Sequence, residues 1–166
     1  MSTRVVRFAS LTVLVAALAG APATAGDNAG SAWDEMKSLV GSWQGIADGK
    51  PVSVTYTLVS NGTSLMESLT GDHDTTMITM YAPDGGSIVA THYCAAGNQP
   101  RMRAKAPATD IRSLDFQFVD ATNTAAAPEL MKRLVVTFQD PNHFTQSWTS
   151  SAAGKEHTTD FVYTRK

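Results

Sequence analysis

Residues 91–102 read THYCAAGNQPRM, which gathers an imidazole (His92), a thiol (Cys94), two amides (Asn98 and Gln99) and a guanidinium (Arg101) around an Ala-Ala-Gly-Asn turn. On a strand, His92 and Cys94 project the same way as Ile88 and Ala90, while Val89, Thr91 and Tyr93 project the other way. In SLMESLT, Glu67 alternates with Leu65 and Leu69 and so places a carboxylate on an apolar face. A buried glutamate requires a partner, and Arg101, Arg103 and His92 are the nearest candidates in strand order. Two readings follow. In one, Glu67, His92 and Arg101 orient the polar end of a ligand, with Met80, Cys94, Asn98, Gln99 and Trp148 completing the site. In the other, the same groups form a satisfied polar plug, and Asn98 and Gln99 serve the turn.

Other chemistries have thinner support. His92-x-Cys94 offers two metal ligands at strand spacing and Glu67 a third, but no second His/Cys pair completes a zinc pattern. Cys94 as a nucleophile with His92 as its base would need contact that side chains two apart on one strand do not guarantee. Glu67 or His92 as a base would suit a lumen isomerase or hydrolase, yet no residue is assigned as catalytic. His73 and His143 fall in turns and read as solvated.

The chain has 166 residues with 13 Lys and Arg against 15 Asp and Glu. Arg4 and Arg7 precede an apolar run over residues 11–19 and the small-x-small pattern Ala23-Thr24-Ala25, which predicts a signal peptide over residues 1–25. That run is shorter than the roughly 20 residues a membrane-spanning helix needs. The mature chain, 26–166, is expected to be one exported domain, periplasmic or secreted. Losing two arginines makes it more acidic, which disfavours nucleic acid and anionic lipid as partners. Cys94 is the only cysteine, so stability must come from packing without an internal disulfide.

SAWDEMKSLVG predicts one short helix over 31–40, capped by Ser31 and stopped at Gly41, with Trp33, Met36, Leu39 and Val40 on one face. Beyond it the hydrophobic period changes to two. PVSVTYTLVS sets Val52, Val54, Tyr56 and Leu58 against Ser53, Thr55 and Thr57, and Asn61-Gly62 turns the chain. The alternation recurs with turn signals at hairpin spacing, and residues 125–132 read as one helical turn. About nine or ten strands in a meander, after a single helix, predict an all-β fold: an antiparallel up-and-down β-barrel.

Gly41-Ser42-Trp43 after a helix, with a meander ending in Tyr163-Thr164-Arg165, resembles the calycin superfamily of lipocalins, fatty-acid-binding proteins and nitrobindin-like barrels. The resemblance implies that Gly41 and Trp43 open the first strand and that Arg165 packs over Trp43 to close one end. A narrower resemblance, to a family of exported bacterial barrels with a glutamate strand, a Met-rich strand and an HYCAAGNQPRM-like block, covers residues 64–102. It implies kinship and carries over no activity. The nitrobindin-like members imply haem held by an inward histidine, which here would be His92 or His157.

The expected function is an exported barrel that holds one small, mainly apolar or amphipathic ligand without an obligatory cofactor. Haem binding, a lumen enzyme and a protein-interaction or inhibitor barrel stand beside it. Strand register decides among the site readings, because a one-residue slip sends Glu67, His92 and Cys94 from lumen to solvent.

Overall fold

The structure, a computed structural model, describes residues 26–71, 75–107 and 111–166, and the backbone alone for 26–30. The predicted signal peptide and His73 lie outside the described residues. Helix α1 (Gly26–Ser38) leads into β1 (Gly41–Ala47), β2 (Lys50–Val59), β3 (Ser64–Thr70), β4 (Thr76–Asp84), β5 (Ser87–Tyr93), β6 (Gln99–Lys105), β7 (Ser113–Thr122), β8 (Leu130–Asp140), β9 (His143–Ala152) and β10 (Lys155–Arg165). Each strand pairs antiparallel with its chain neighbour and β1 pairs with β10, so the sheet closes into a barrel. This ten-strand up-and-down barrel with one short helix is the fold class expected from the period-two pattern, and it is consistent with a calycin-like fold.

The alternation in sequence becomes an inside and an outside. Leu65, Glu67 and Leu69 of β3 point in, as do Thr79 and Tyr81 of β4 and Ile88, Ala90 and His92 of β5. Aromatic rings fill the middle: Phe144 stacks on Tyr163 at 4.7 Å between centroids and meets the edge of Trp43 at the same separation. Each such pair adds about 0.5–1.5 kcal/mol beyond the apolar area it buries.

Four local expectations are corrected. The helix starts before Ser31, which lies inside it and does not cap it. Its buried face is Ala32, Trp33, Met36 and Leu39, whereas Val40 has left the helix and is 40 % exposed. Residues 125–132 form a turn that runs straight into β8, because Pro128 has no amide hydrogen with which to extend a helical ladder. Leu58, expected inside, is exposed where β2 runs past the barrel's closed end.

The closed end is built at the β1–β10 seam, where Trp43 pairs with Arg165. The Arg165 guanidinium sits 4.0 Å from the Trp43 ring centroid. It also donates to the carbonyls of Pro141 (2.9 Å), Val40 (3.0 Å) and Ser38 (2.8 Å), while the Trp43 indole N–H donates to Leu39 O at 2.7 Å. One flat cation thus satisfies carbonyls at the end of α1, which a helix leaves without intrahelical partners, and covers the indole. Gly41, at φ +127°, lies in a region that side chains rarely adopt, and a Cβ there would stand 3.0 Å from the Arg165 guanidinium. A Cβ at Gly45 would lie 2.5 Å from Val162 O and 2.6 Å from the Tyr163 ring, so only glycine lets the two strands approach.

Replacing Arg165 with Ala removes both the stack, worth about 0.5–2 kcal/mol, and the hydrogen bonds to three carbonyls. We expect Arg165→Ala to lower the melting temperature by roughly 5–10 °C with a change in tryptophan emission, and Lys166→Ala to lower it by less than about 2 °C. Equal effects in thermal unfolding would contradict this account of the seam. Gly45→Ala should destabilise by at least about 2 kcal/mol in urea titration, as overpacking against backbone requires.

Candidate functional site

The strands run between two different ends. At the end opposite α1, where the odd-numbered strands finish, a mouth opens into a cavity of about 340 Å³. Its wall is apolar, with Val52, Leu69, Met77, Met131, Trp148 and Phe161, and its rim carries Asp48, Lys50, Ser150 and Thr159. His92 is the imidazole in the wall. Its ring is 2 % exposed and packs 4.7 Å from the Trp148 ring.

Below the cavity lies Glu67, 1 % exposed. Its Oε2 accepts from Tyr56 Oη (2.8 Å), Tyr81 Oη (2.7 Å) and Gln146 Nε2 (2.8 Å), and Gln146 also donates to Tyr56 Oη at 2.9 Å. Burial pushes the Glu67 carboxyl above its ordinary range, and the bonds from Tyr81, Tyr56 and Gln146 pull it partly back. Burial, then the neighbouring Glu67, raises both Tyr56 and Tyr81 well above the usual phenol value, so they stay donors.

One thread ties this centre to the cavity: Gln146, which donates to Glu67, accepts from Trp148 Nε1 at 3.2 Å. Glu67 therefore positions the indole of the cavity without lining it. The imidazole has its own partner, the Thr79 hydroxyl, 2.9 Å from His92 Nδ1. Burial lowers His92 from 6.5 to about 4, so at neutral pH it is an uncharged hydrogen-bonding group and a weak base.

Of the eight residues singled out for a ligand, His92 and Trp148 line the cavity and Glu67 supports Trp148 through Gln146. The expected Glu67–His92–Arg101 cluster does not assemble. Arg101 follows the outward parity of β6, where it pairs with Asp120, and the partners of Glu67 are phenols and an amide. Met80 sits between inward Thr79 and Tyr81 and faces outward across from Met66. Cys94 follows β5 in the rim turn, half-buried, with its amide donating to Asn98 O at 3.1 Å. Asn98 is wholly buried and its Nδ2 donates to Ala127 O (2.8 Å) and Glu129 O (2.6 Å), fastening that turn to the next one. Gln99 accepts from Thr122 Oγ1 on the surface. THYCAAGNQPRM is thus a rim hairpin that gives His92 to the cavity wall and Met102 to the core. His157 has the inward parity of Phe161 but is exposed beyond the wall.

Sequence reasoning missed the polar roles of Thr79, Tyr81 and Gln146, and read Tyr56 only as an apolar-face residue. Their signal was present: Thr79, Tyr81, Tyr56 and Gln146 all share the parity of core residues on their strands. Among the described residues, no three His, Cys, Asp or Glu side chains gather as a metal site.

The raised Glu67 sets a sign for pH dependence. Below the unfolded carboxyl pKa the group is protonated in both states and native stability is intact; as pH rises, the unfolded chain ionises first and stability falls until the folded value is passed. Relative to Glu67→Gln, the wild type should lose stability from about pH 4.5 upward, by about 1.4 kcal/mol for each unit the folded value is raised. Urea unfolding of both proteins between pH 5 and 8 measures it, and a constant difference would contradict the raised carboxyl. His92 has the opposite sign, with stability lost as pH falls from 6.5 towards 4.

Compared with known proteins, the chain matches no protein-family model and no curated protein.

Proposed function

We propose that the mature chain is an exported barrel, periplasmic or secreted, that holds one small, mainly apolar molecule in its lumen. The observation that carries this reading is the 340 Å³ apolar cavity with a single imidazole nitrogen, His92 Nε2, buried and unpartnered in its wall. Ligand sites are commonly concave and apolar with a few placed polar groups, in volumes of roughly 300–1,000 Å³. Four buried side-chain polar atoms among the described residues lack a partner, namely Glu67 Oε1, His92 Nε2, Asn98 Oδ1 and Tyr163 Oη. Of these residues, His92 alone lines the cavity. The closed, calycin-like barrel architecture supports a binding role, and a carrier or scavenger is the class we propose.

Haem binding is the second reading, and the donor chemistry of His92 favours it. With Nδ1 engaged by Thr79 and Nε2 free, the ring has the arrangement of an axial ligand whose other nitrogen is fixed by a hydrogen bond. His157, exposed at the rim, does not fit that part. Haemin titration distinguishes the two readings: a Soret shift lost in His92→Ala and kept in His157→Ala supports iron ligation, and no shift refutes it.

For the principal reading, native mass spectrometry of protein taken from its exporting host should show a bound small molecule. Met77→Trp, which puts bulk into the cavity wall, should keep the thermal transition and weaken capture by roughly tenfold or more, about 1.4 kcal/mol. Capture unchanged in Met77→Trp would place the ligand outside the lumen and refute the proposal.

A further inference from the structure

The β7–β8 ladder ends at Gln117↔Arg133, although β7 runs on to Thr122 and β8 begins at Leu130. Both strands carry a bulge just beyond that last rung. Val119 is the extra residue where β7 pairs with β6, and Lys132 is the extra residue where β8 pairs with β9. Bulges bend and twist a strand and can terminate its pairing, so the two lips follow their outer neighbours, β6 and β9, and part from each other. Side chains bridge the slot that results. Lys132 Nζ lies 3.5 Å over the Phe118 ring, where a continued register would have set these two residues opposite each other. Next to Lys132, Met131 lines the lumen cavity, whereas Phe118 and Lys132 border a recess on the outer face with Gln117, Arg133 and Thr149. Cavity and recess therefore meet the same lip at consecutive residues.

At the rim the slot is clasped from a different hairpin. The turn between β7 and β8 closes on itself through Ala127 N–H to Asn123 O at 3.0 Å. Asn98, from the turn after β5, reaches across and donates to the carbonyls of Ala127 (2.8 Å) and Glu129 (2.6 Å), and the Asn123 side chain donates back to Gly97 O at 2.8 Å. Asn98 is wholly buried and its Oδ1 has no partner, so the closed clasp leaves one amide oxygen unsatisfied. Lifting the turn breaks two hydrogen bonds but admits water to both ends of the amide, and the gain at Oδ1 offsets part of the loss. Such a latch opens at lower cost than a fully satisfied one. We infer that the β7–β8 slot is the passage by which an apolar molecule enters and leaves the lumen, with Asn98 as its latch and Phe118, under Lys132, as its plug. This rests on the lumen-binding reading and adds the route to it. The mouth carries Asp48 and Lys50 at its rim, whereas the slot offers an apolar molecule Phe118 on its outer side and Met131 on its inner side.

Two measurements test this separately. In a Cys94→Ala background, Phe118→Cys with Lys132→Cys allows a disulfide to staple the lips, and the same protein is compared oxidised and reduced. With N-phenyl-1-naphthylamine, an uncharged fluorescent probe, stopped-flow association and dissociation should both slow by roughly tenfold or more on oxidation and recover with dithiothreitol, because a blocked passage changes rates and leaves the affinity within about twofold. Asn98→Ala should speed both rates by roughly 3- to 10-fold, the range one net hydrogen bond supplies. Rates that ignore both the disulfide and Asn98→Ala place the traffic at the mouth and overturn the passage while leaving the lumen reading intact. Without any probe, hydrogen exchange in Asn98→Ala should quicken over residues 118–131 by a similar factor and stay unchanged over 113–117 and 133–137. Exchange that is unaltered over 118–131, or that quickens equally in the lower ladder, overturns the latch whatever the protein binds. Failure of the probe to bind the reduced protein overturns the lumen reading and the passage with it.

Discussion

Five residue pairs, from Trp43↔Arg165 to Ala47↔Phe161, join β1 to β10, and the interior exists because of them. A ten-strand ribbon left open would expose two edges with unpaired amides and carbonyls and turn its apolar face towards water. Closing it brings the first and last strands together, a contact of long sequence separation whose loop-closure entropy must be met before it returns anything. The seam is accordingly the most specified part of the wall: two glycines allow close approach, and one guanidinium stacks on the indole while binding three carbonyls. Because Arg165 reaches Ser38 and Val40, the same contact fixes where the helix leaves off and how it covers that end.

With one end covered, the polarity of the interior becomes graded along the axis. Aromatic rings fill the part nearest the seam, the Glu67 centre occupies the middle, and the cavity lies beyond it. A lone carboxylate in such a place would cost several kcal/mol, and three donors converging on one oxygen offset much of that. Two of those donors come from β2 and β4, which flank β3, and the third from β9, four strands away around the barrel. The centre therefore acts as a cross-brace as well as a polar anchor, and through Gln146 it holds the cavity's indole in place.

How much of this was legible in the sequence depended on the range of the interaction. The strands and their inward faces follow from period-two alternation, a local property, and so Leu65, Glu67 and Leu69 or Ile88, Ala90 and His92 could be assigned to one face before any pairing was known. The seam was legible through three residue types at the two ends of the chain. The Glu67 centre was not, because its partners lie at sequence separations of 11, 14 and 79 residues. Arg101 looked closer only because meander order was used as a measure of distance, whereas parity turns it outward to Asp120. Depth along the barrel axis was equally hidden: Tyr81 and Met77 share an inward parity, yet Met77 lines the cavity and Tyr81 lies beneath it. Alternation fixes the side of the wall, and only the stagger between strands fixes the height.

That distinction bears on why an unpartnered nitrogen persists at His92. Leaving a buried polar atom unsatisfied costs about 1–3 kcal/mol, and a phenylalanine would fill the same space beside Trp148 without that cost. The penalty at His92 is not a by-product of close packing, because the neighbouring space is a cavity. Nor is the ring idle on its other side, where Nδ1 meets the Thr79 hydroxyl at 2.9 Å. A stability argument accounts for Nδ1 and leaves Nε2 unexplained. Glu67 Oε1 is left unsatisfied in the same way, and of the two residues only His92 borders the cavity.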